Sequence, residues 1–167
     1  EPNLLPLLGD GASRAREQAA RALAAAAAAE PERIPSLLQK LFELYKSRVP
    51  PPPPSAKGGR AAPPPPMEGE EEEEDWRSRL GVALGLGALA PSLRAREQLP
   101  VVFAFLKNAL GDAHEAVAQG VGAAGRAIIE KCPERAEMVT LLVPMLEGFL
   151  AEPATTEDPP MPKPRVI

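Results

Sequence analysis

Apolar residues return every three or four positions through most of this chain, and the stretches where they do so are punctuated by proline and glycine. Leu37, Leu38, Leu41, Phe42, Leu44 and Tyr45 follow the i, i+3, i+4, i+7 spacing of a helix with one buried stripe. Similar stripes are carried by Leu80 to Leu89, by Val101 to Leu110, by Val117 to Ile129 and by Val139 to Leu150. A further helix is predicted from about Gly11 to Ala29, with Asp10 as its candidate N-cap and Ala24 to Ala29 supplying the strongest intrinsic helix preference. Pro31 stops that helix, Pro35 starts the next, and Pro50 ends it. Helix is expected to resume at Asp75 or Trp76, where Gly81, Gly85 and Gly87 each cost about 1 kcal/mol relative to Ala unless a neighbour packs closely on that face. Pro100 opens another helix, and Gly111-Asp112 turns it into its partner, Ala113 to Lys131. A last helix is expected over about Arg135 to Ala151, with Pro144 kinking it or falling in a bend.

Beneath the stripes lies an internal repeat. Pro-Glu-Arg occurs at Pro31 to Arg33 and again at Pro133 to Arg135, 102 residues on, each time after a helix that follows an aspartate, Asp10 or Asp112. A third copy places Arg79 where the first has Arg16 and the last has Ala118, so the two steps are 63 and 39 residues. Removing about 25 residues of insertion from the longer step brings both near the roughly 40-residue period of HEAT and armadillo units. The predicted fold is therefore all-α, an alpha-alpha superhelix of about three stacked helical hairpins interrupted by a Pro/Glu-rich insertion. Its divisions are 1–49 helical, 50–75 a disordered Pro-rich and acidic loop, 76–152 helical, and 153–167 an extended tail or the start of a further repeat. With Glu1 in first place and Pro162 to Ile167 at the end, the chain reads as an excerpt of a longer protein.

Composition refines this picture in two places. Proline is 22 of 167 residues, but most of it clusters in the insertion and the tail, so the helical remainder is not disordered by composition. The net charge of −4 is also local: the insertion holds seven acids and two bases, a net −5, which leaves +1 for everything else. That balance gives no field arguing for nucleic acid. No run of 18 uninterrupted apolar residues and no signal-like start is present, and a cytoplasmic location is the simplest expectation.

Candidate chemistry is sparse. His114, the sole histidine, lies near Asp112 and Glu115 but lacks the three or four convergent ligands a metal site needs, and it reads as a solvated first-turn residue. Cys132, the sole cysteine, excludes an intramolecular disulfide and reads as a core thiol at a helix end rather than a nucleophile. The acidic run Glu70 to Asp75 reads as a solvated loop rather than bait for a basic partner, and Pro50 to Pro54 and Pro63 to Pro66 as spacers rather than polyproline ligands. Arg14, Arg16, Arg21 and Arg33 do not share one face and read as ordinary polar surface rather than a strip for RNA. No catalytic, cofactor-binding or metal residue is assigned, no small-molecule substrate or membrane partner is expected, and no residue is assigned to a partner.

A helix, a short Asp-containing turn and a second helix with Val-Arg near its start resemble a HEAT repeat; Asp10 with Ala15-Arg16, and Asp112 with Val117, fit that pattern. Ala118 departs from it, at a joint that an Asp–Arg ladder between units would link. Over roughly Leu37 to Ala151 the ordered set Leu41 to Tyr45, the Pro50 to Pro54 run, Gly59-Arg60, Trp76, Arg79, Gly81 to Leu84, Leu89 to Pro91, Phe103, Phe105-Leu106, Ala109 to Asp112, Val117, Ala124, Ile128-Ile129, Leu141-Leu142, Pro144 and Glu147 to Leu150 is similar to the general control non-derepressible family of giant HEAT-repeat translational activators. The resemblance implies a cytosolic, non-catalytic scaffold that rides on ribosomes, binds the kinase of the alpha subunit of initiation factor two, and relays the signal of uncharged tRNA in amino-acid starvation. A HEAT scaffold of another system, such as nuclear transport or phosphatase assembly, is the alternative.

Overall fold

The computed structural model describes residues 4–50 and 71–151, with side chains left aside at 71–74, 145, 146 and 148–151. Six α-helices occur there: α1 (Ser13–Ala29), α2 (Ile34–Ser47), α3 (Glu71–Leu89), α4 (Leu99–Ala109), α5 (Glu115–Lys131) and α6 (Arg135–Ala151). Short 3-10 turns at Pro6–Gly9, Pro31–Arg33 and Ala90–Ser92 bend the chain between them. No strand is present among the described residues. α2 with α3 and α4 with α5 form complete pairs, while α1 and α6 flank them, which is the predicted all-α superhelix.

Two layers follow from the side chains. α1 and α5 both pack directly on α3. Small residues permit this: Ala19, Ala20, Ala27, Ala83 and Ala124 are all buried. Gly81 is required by close approach, because a Cβ there would lie 1.9 Å from the Leu8 carbonyl oxygen. The 3-10 turn bearing Leu8 thus sits against α3, with Leu8 fully buried. The glycines that weaken α3 as an isolated helix are part of what lets it become the central helix of its layer. α2 and α4 form the other layer, with less direct backbone contact than α1, α3 and α5 make. Larger side chains bridge them: the Phe42 and Phe105 rings stack at 4.4 Å, and Tyr45 meets Phe105 edge-on at 5.0 Å.

Several local expectations change. α1 begins at Ser13, with Ala12 at its N-cap and no side-chain cap. Asp10 instead accepts the Ala12 amide at 2.8 Å, an Asx turn ahead of the helix. α3 begins at Glu71, four residues before the expected Asp75, since glutamate is a good helix former and favourable at the positive helix end. α5 starts at Glu115 with His114 at its N-cap. Pro144 lies inside a helix that continues to Ala151. Val101, Leu110, Ile129, Val139 and Val143 are exposed although they share helices with buried residues. Of the predicted loop over 50–75, residues 51–70 lie outside the described residues, and so does the predicted tail over 153–167.

Candidate functional site

The turn between α4 and α5 carries the most concentrated polar interaction in the described structure. Its centre is Asp112, whose side chain is 4 % exposed. Arg79 of α3, 5 % exposed, reaches it with two donors: Nε to Oδ2 at 2.8 Å and Nη2 to Oδ1 at 3.1 Å. Tyr45 of α2 donates its hydroxyl to Oδ2 at 2.6 Å, and the His114 amide donates to Oδ1 at 2.9 Å. Arg79 also donates Nη1 to the Arg48 carbonyl at the end of α2. Four elements therefore meet at one carboxylate.

The geometry explains the protonation states. Burial pushes the Asp112 carboxyl upward, but the hydrogen bonds from Arg79, Tyr45 and the His114 amide, with the charge of Arg79, more than offset it and hold the pKa below the usual carboxylate range. The Tyr45 phenol is raised well above its ordinary value by burial first, then by its hydrogen bond to Asp112 and that residue's negative charge. Asp112 stays ionised and Tyr45 neutral at physiological pH. The arrangement is an ion pair with a satisfied acceptor, built to hold elements in register. Both carboxylate oxygens of Asp112 accept charge-assisted or amide hydrogen bonds.

Beside this node lies the neck of the insertion. Arg48, one residue past α2, pairs with Asp75 of α3 at 2.9 Å on the surface. Together with Arg79 and the Arg48 carbonyl, this closes the chain ends flanking 51–70. Trp76 stacks on His114 with ring centroids 4.3 Å apart and planes 4° apart, and the Arg77 guanidinium lies 5.3 Å from the Trp76 ring centre. His114 is therefore packed rather than solvated, with Nδ1 buried and unpartnered among the described residues. No cluster of three potential metal ligands occurs among the described residues.

The other singled-out residues fall into place around this frame. Cys132 is buried and its thiol faces the Leu93 carbonyl at 3.7 Å, the core thiol expected at a helix end. Arg16 is not surface: it is 7 % exposed, and its Nη1 donates to the Asp10 carbonyl at 2.6 Å and to that of Gly11 at 3.2 Å. Arg14, Arg21 and Arg33 are exposed, and Arg33 pairs with Glu30 at 2.5 Å. Sequence reasoning missed Tyr45 as a polar participant and Glu134, whose carboxylate accepts the Ala95 amide at 2.6 Å across two units. Tyr45 read as one more member of an apolar stripe.

The Arg79–Asp112 pair runs from the second helix of one pair to the turn of the next, so Ala118 does not interrupt it. Asp112 draws its arginine from the preceding unit, at the position that Arg16 occupies in the first copy. A family model described as "Stalled ribosome sensor GCN1, HEAT repeats" matches residues 2–160. The chain belongs to that family. The GCN1 HEAT repeats are the family its residues resembled, and the match spans both complete helix pairs and the node joining them. No curated protein and no solved structure matches the chain. Among the described residues, no helix is long and apolar enough to cross a membrane.

Proposed function

We propose that this chain is a non-catalytic scaffold segment of a cytoplasmic, ribosome-associated translational activator that promotes activation of the initiation factor two alpha kinase when amino acids run short. The observation that carries the reading is membership of the stalled-ribosome-sensor HEAT family over residues 2–160. The Arg79–Asp112–Tyr45 node supports the scaffold part, because it commits its polar atoms to joining units rather than to a substrate. Ribosome and kinase are contacted through the full-length chain, and this segment's share is to keep the array in register.

Sedimentation of the full-length protein tests it. The protein should travel with polysomes, and its deletion should abolish the rise in phosphorylated initiation factor two alpha during starvation. A full-length protein absent from ribosome fractions, or captured instead with importin cargo or phosphatase subunits, overturns the reading.

A further inference from the structure

The Trp76–His114 stack joins the start of α3 to the start of α5, and it uses the sole tryptophan and the sole histidine of the chain. His114 is the N-cap of α5, and its amide donates to Asp112, so the imidazole is placed by the backbone of a fixed turn. Its Nδ1 is buried and meets no partner among the described residues. A neutral imidazole fits there, because one of its ring nitrogens carries no proton. The imidazolium carries a proton on both, which makes Nδ1 a buried, charged donor without an acceptor.

The surrounding groups offset that loss poorly. Asp112 already accepts from Tyr45, from Arg79 and from the His114 amide itself. Asp75 pairs with Arg48, and Glu115 accepts from Gln119 one turn along α5. An indole face attracts a cation, but the Arg77 guanidinium already lies 5.3 Å from the centre of this one. The amino end of α5 adds the positive end of the helix dipole beside the ring. Glu71 to Glu74 are the first four residues of α3, and their negative field favours uptake of a proton somewhere near the stack. Salt screens that field, whereas the missing acceptor at Nδ1 is a matter of geometry.

We propose that the stack is a pH-sensitive clasp between α3 and the turn joining α4 to α5: it holds while His114 is neutral, and protonation of His114 releases the Trp76 indole. The buried Arg79–Asp112 pair and the Arg48–Asp75 pair stay in place, so the helices keep their register while the start of α3 loosens.

Near-ultraviolet circular dichroism of the whole 167-residue chain, which reads its one tryptophan, tests this between about pH 8 and about pH 5, the range in which histidine changes charge. Asp112 stays ionised and Tyr45 neutral over that window, so the node beside the stack does not titrate. The parent chain should lose at least about half of its tryptophan signal on acidification, with the far-ultraviolet helical signal unchanged. Acrylamide should quench the indole more readily at the lower pH. His114→Phe keeps a flat ring that cannot charge and should hold the parent's high-pH signal throughout. His114→Gln removes the ring, so its signal should be low at the higher pH and fall no further. Either variant suffices, since both are expected to be independent of pH. Equal parent signals at both pH values would overturn the proposal. So would a retained signal with quenched emission, which would mean that the imidazolium stays on the indole, or an acid loss of the same size in either variant. None of these outcomes bears on polysome sedimentation, so this inference and the scaffold reading fail separately.

Discussion

Two turns in this molecule begin with the same two residues, Gly9-Asp10 and Gly111-Asp112, and each precedes a 17-residue helix. They are held by different physics. Around Asp112 two side chains, those of Tyr45 and Arg79, and the His114 amide converge on a buried carboxylate. Around Asp10 the carboxylate takes a single local amide, and the arginine of the following helix bonds backbone carbonyls instead. What fixes the first turn is the buried Leu8 just before it, whose backbone lies against Gly81. The difference lies in Arg79, which reaches Asp112 from the preceding unit. A repeated motif therefore fixes a turn's shape, while its energetics depend on what the neighbouring unit delivers.

The sharpest way to break the contrast is to remove the carboxylate from the second turn. Asp112→Ala leaves the Arg79 guanidinium buried without its partner, a situation that costs about 3–5 kcal/mol. Urea denaturation followed by circular dichroism should show that loss, and a double-mutant cycle with Arg79→Met should show strong coupling between the two positions. The same carboxylate makes stability depend on pH. Its folded pKa lies below its unfolded value, so the stabilisation is complete above the usual carboxylate pKa of about 3.9 and is lost as pH falls through the lower folded value. The urea midpoint of the parent chain should fall more steeply on acidification below about pH 4 than that of Asp112→Asn. Equal slopes would show that the node does not hold the turn.

Gly81→Ala attacks the first turn from the other side. The new Cβ would meet backbone rather than a flexible side chain, 1.9 Å from the Leu8 oxygen, so the 3-10 turn must move or lose contact. Overpacking of this kind costs about 1–3 kcal/mol. Hydrogen exchange should locate the damage at 4–20 and leave the Asp112 turn protected. An unchanged melting curve would mean that the first turn owes nothing to this approach.

These two anchors differ in how far the sequence exposes them. The helices were legible because a 3.6-residue period needs only local information, and the repeat placed them in pairs. The Asp112 node was not, since its side chains come from positions 45, 79 and 112 and meet only through stacking. Ala118 pointed attention to a missing arginine within the unit, whereas the partner is supplied one unit earlier. Leu8 escaped because a four-residue 3-10 turn is too short to show a period. Arg16 looked like surface charge because a polar residue carries no mark of whether a backbone carbonyl awaits it. On α4 and α6, apolar residues occur on more than one face, so spacing alone could not tell the buried Val102 and Met138 from the exposed Val101 and Val139.

Tyr45→Phe sharpens the comparison more gently. It keeps the ring that meets Phe105 and deletes one charge-assisted hydrogen bond to Asp112, for which about 1.5–3 kcal/mol is typical. Asp112 retains Arg79 and the His114 amide, so the lower end of that range is expected in urea titrations. The hydroxyl also predicts an alkaline effect. With its folded pKa raised, Tyr45 contributes stability below about pH 10 that is lost as pH rises, because the unfolded phenol ionises first. The parent chain should lose stability above that pH faster than Tyr45→Phe does.

The smallest effect belongs to Asp10. Its carboxylate accepts one exposed amide two residues along the chain, and water replaces that bond readily when the side chain is removed. Asp10→Ala should therefore cost about 0.5 kcal/mol, the low end for a single hydrogen bond, several-fold less than Asp112→Ala is expected to cost. The Arg16 contacts should survive, since they end on the Asp10 and Gly11 carbonyls rather than on the side chain. A loss as large as that of Asp112→Ala would mean that Asp10 anchors its turn through more than this amide, and the two turns would then be alike in energy as well as in sequence.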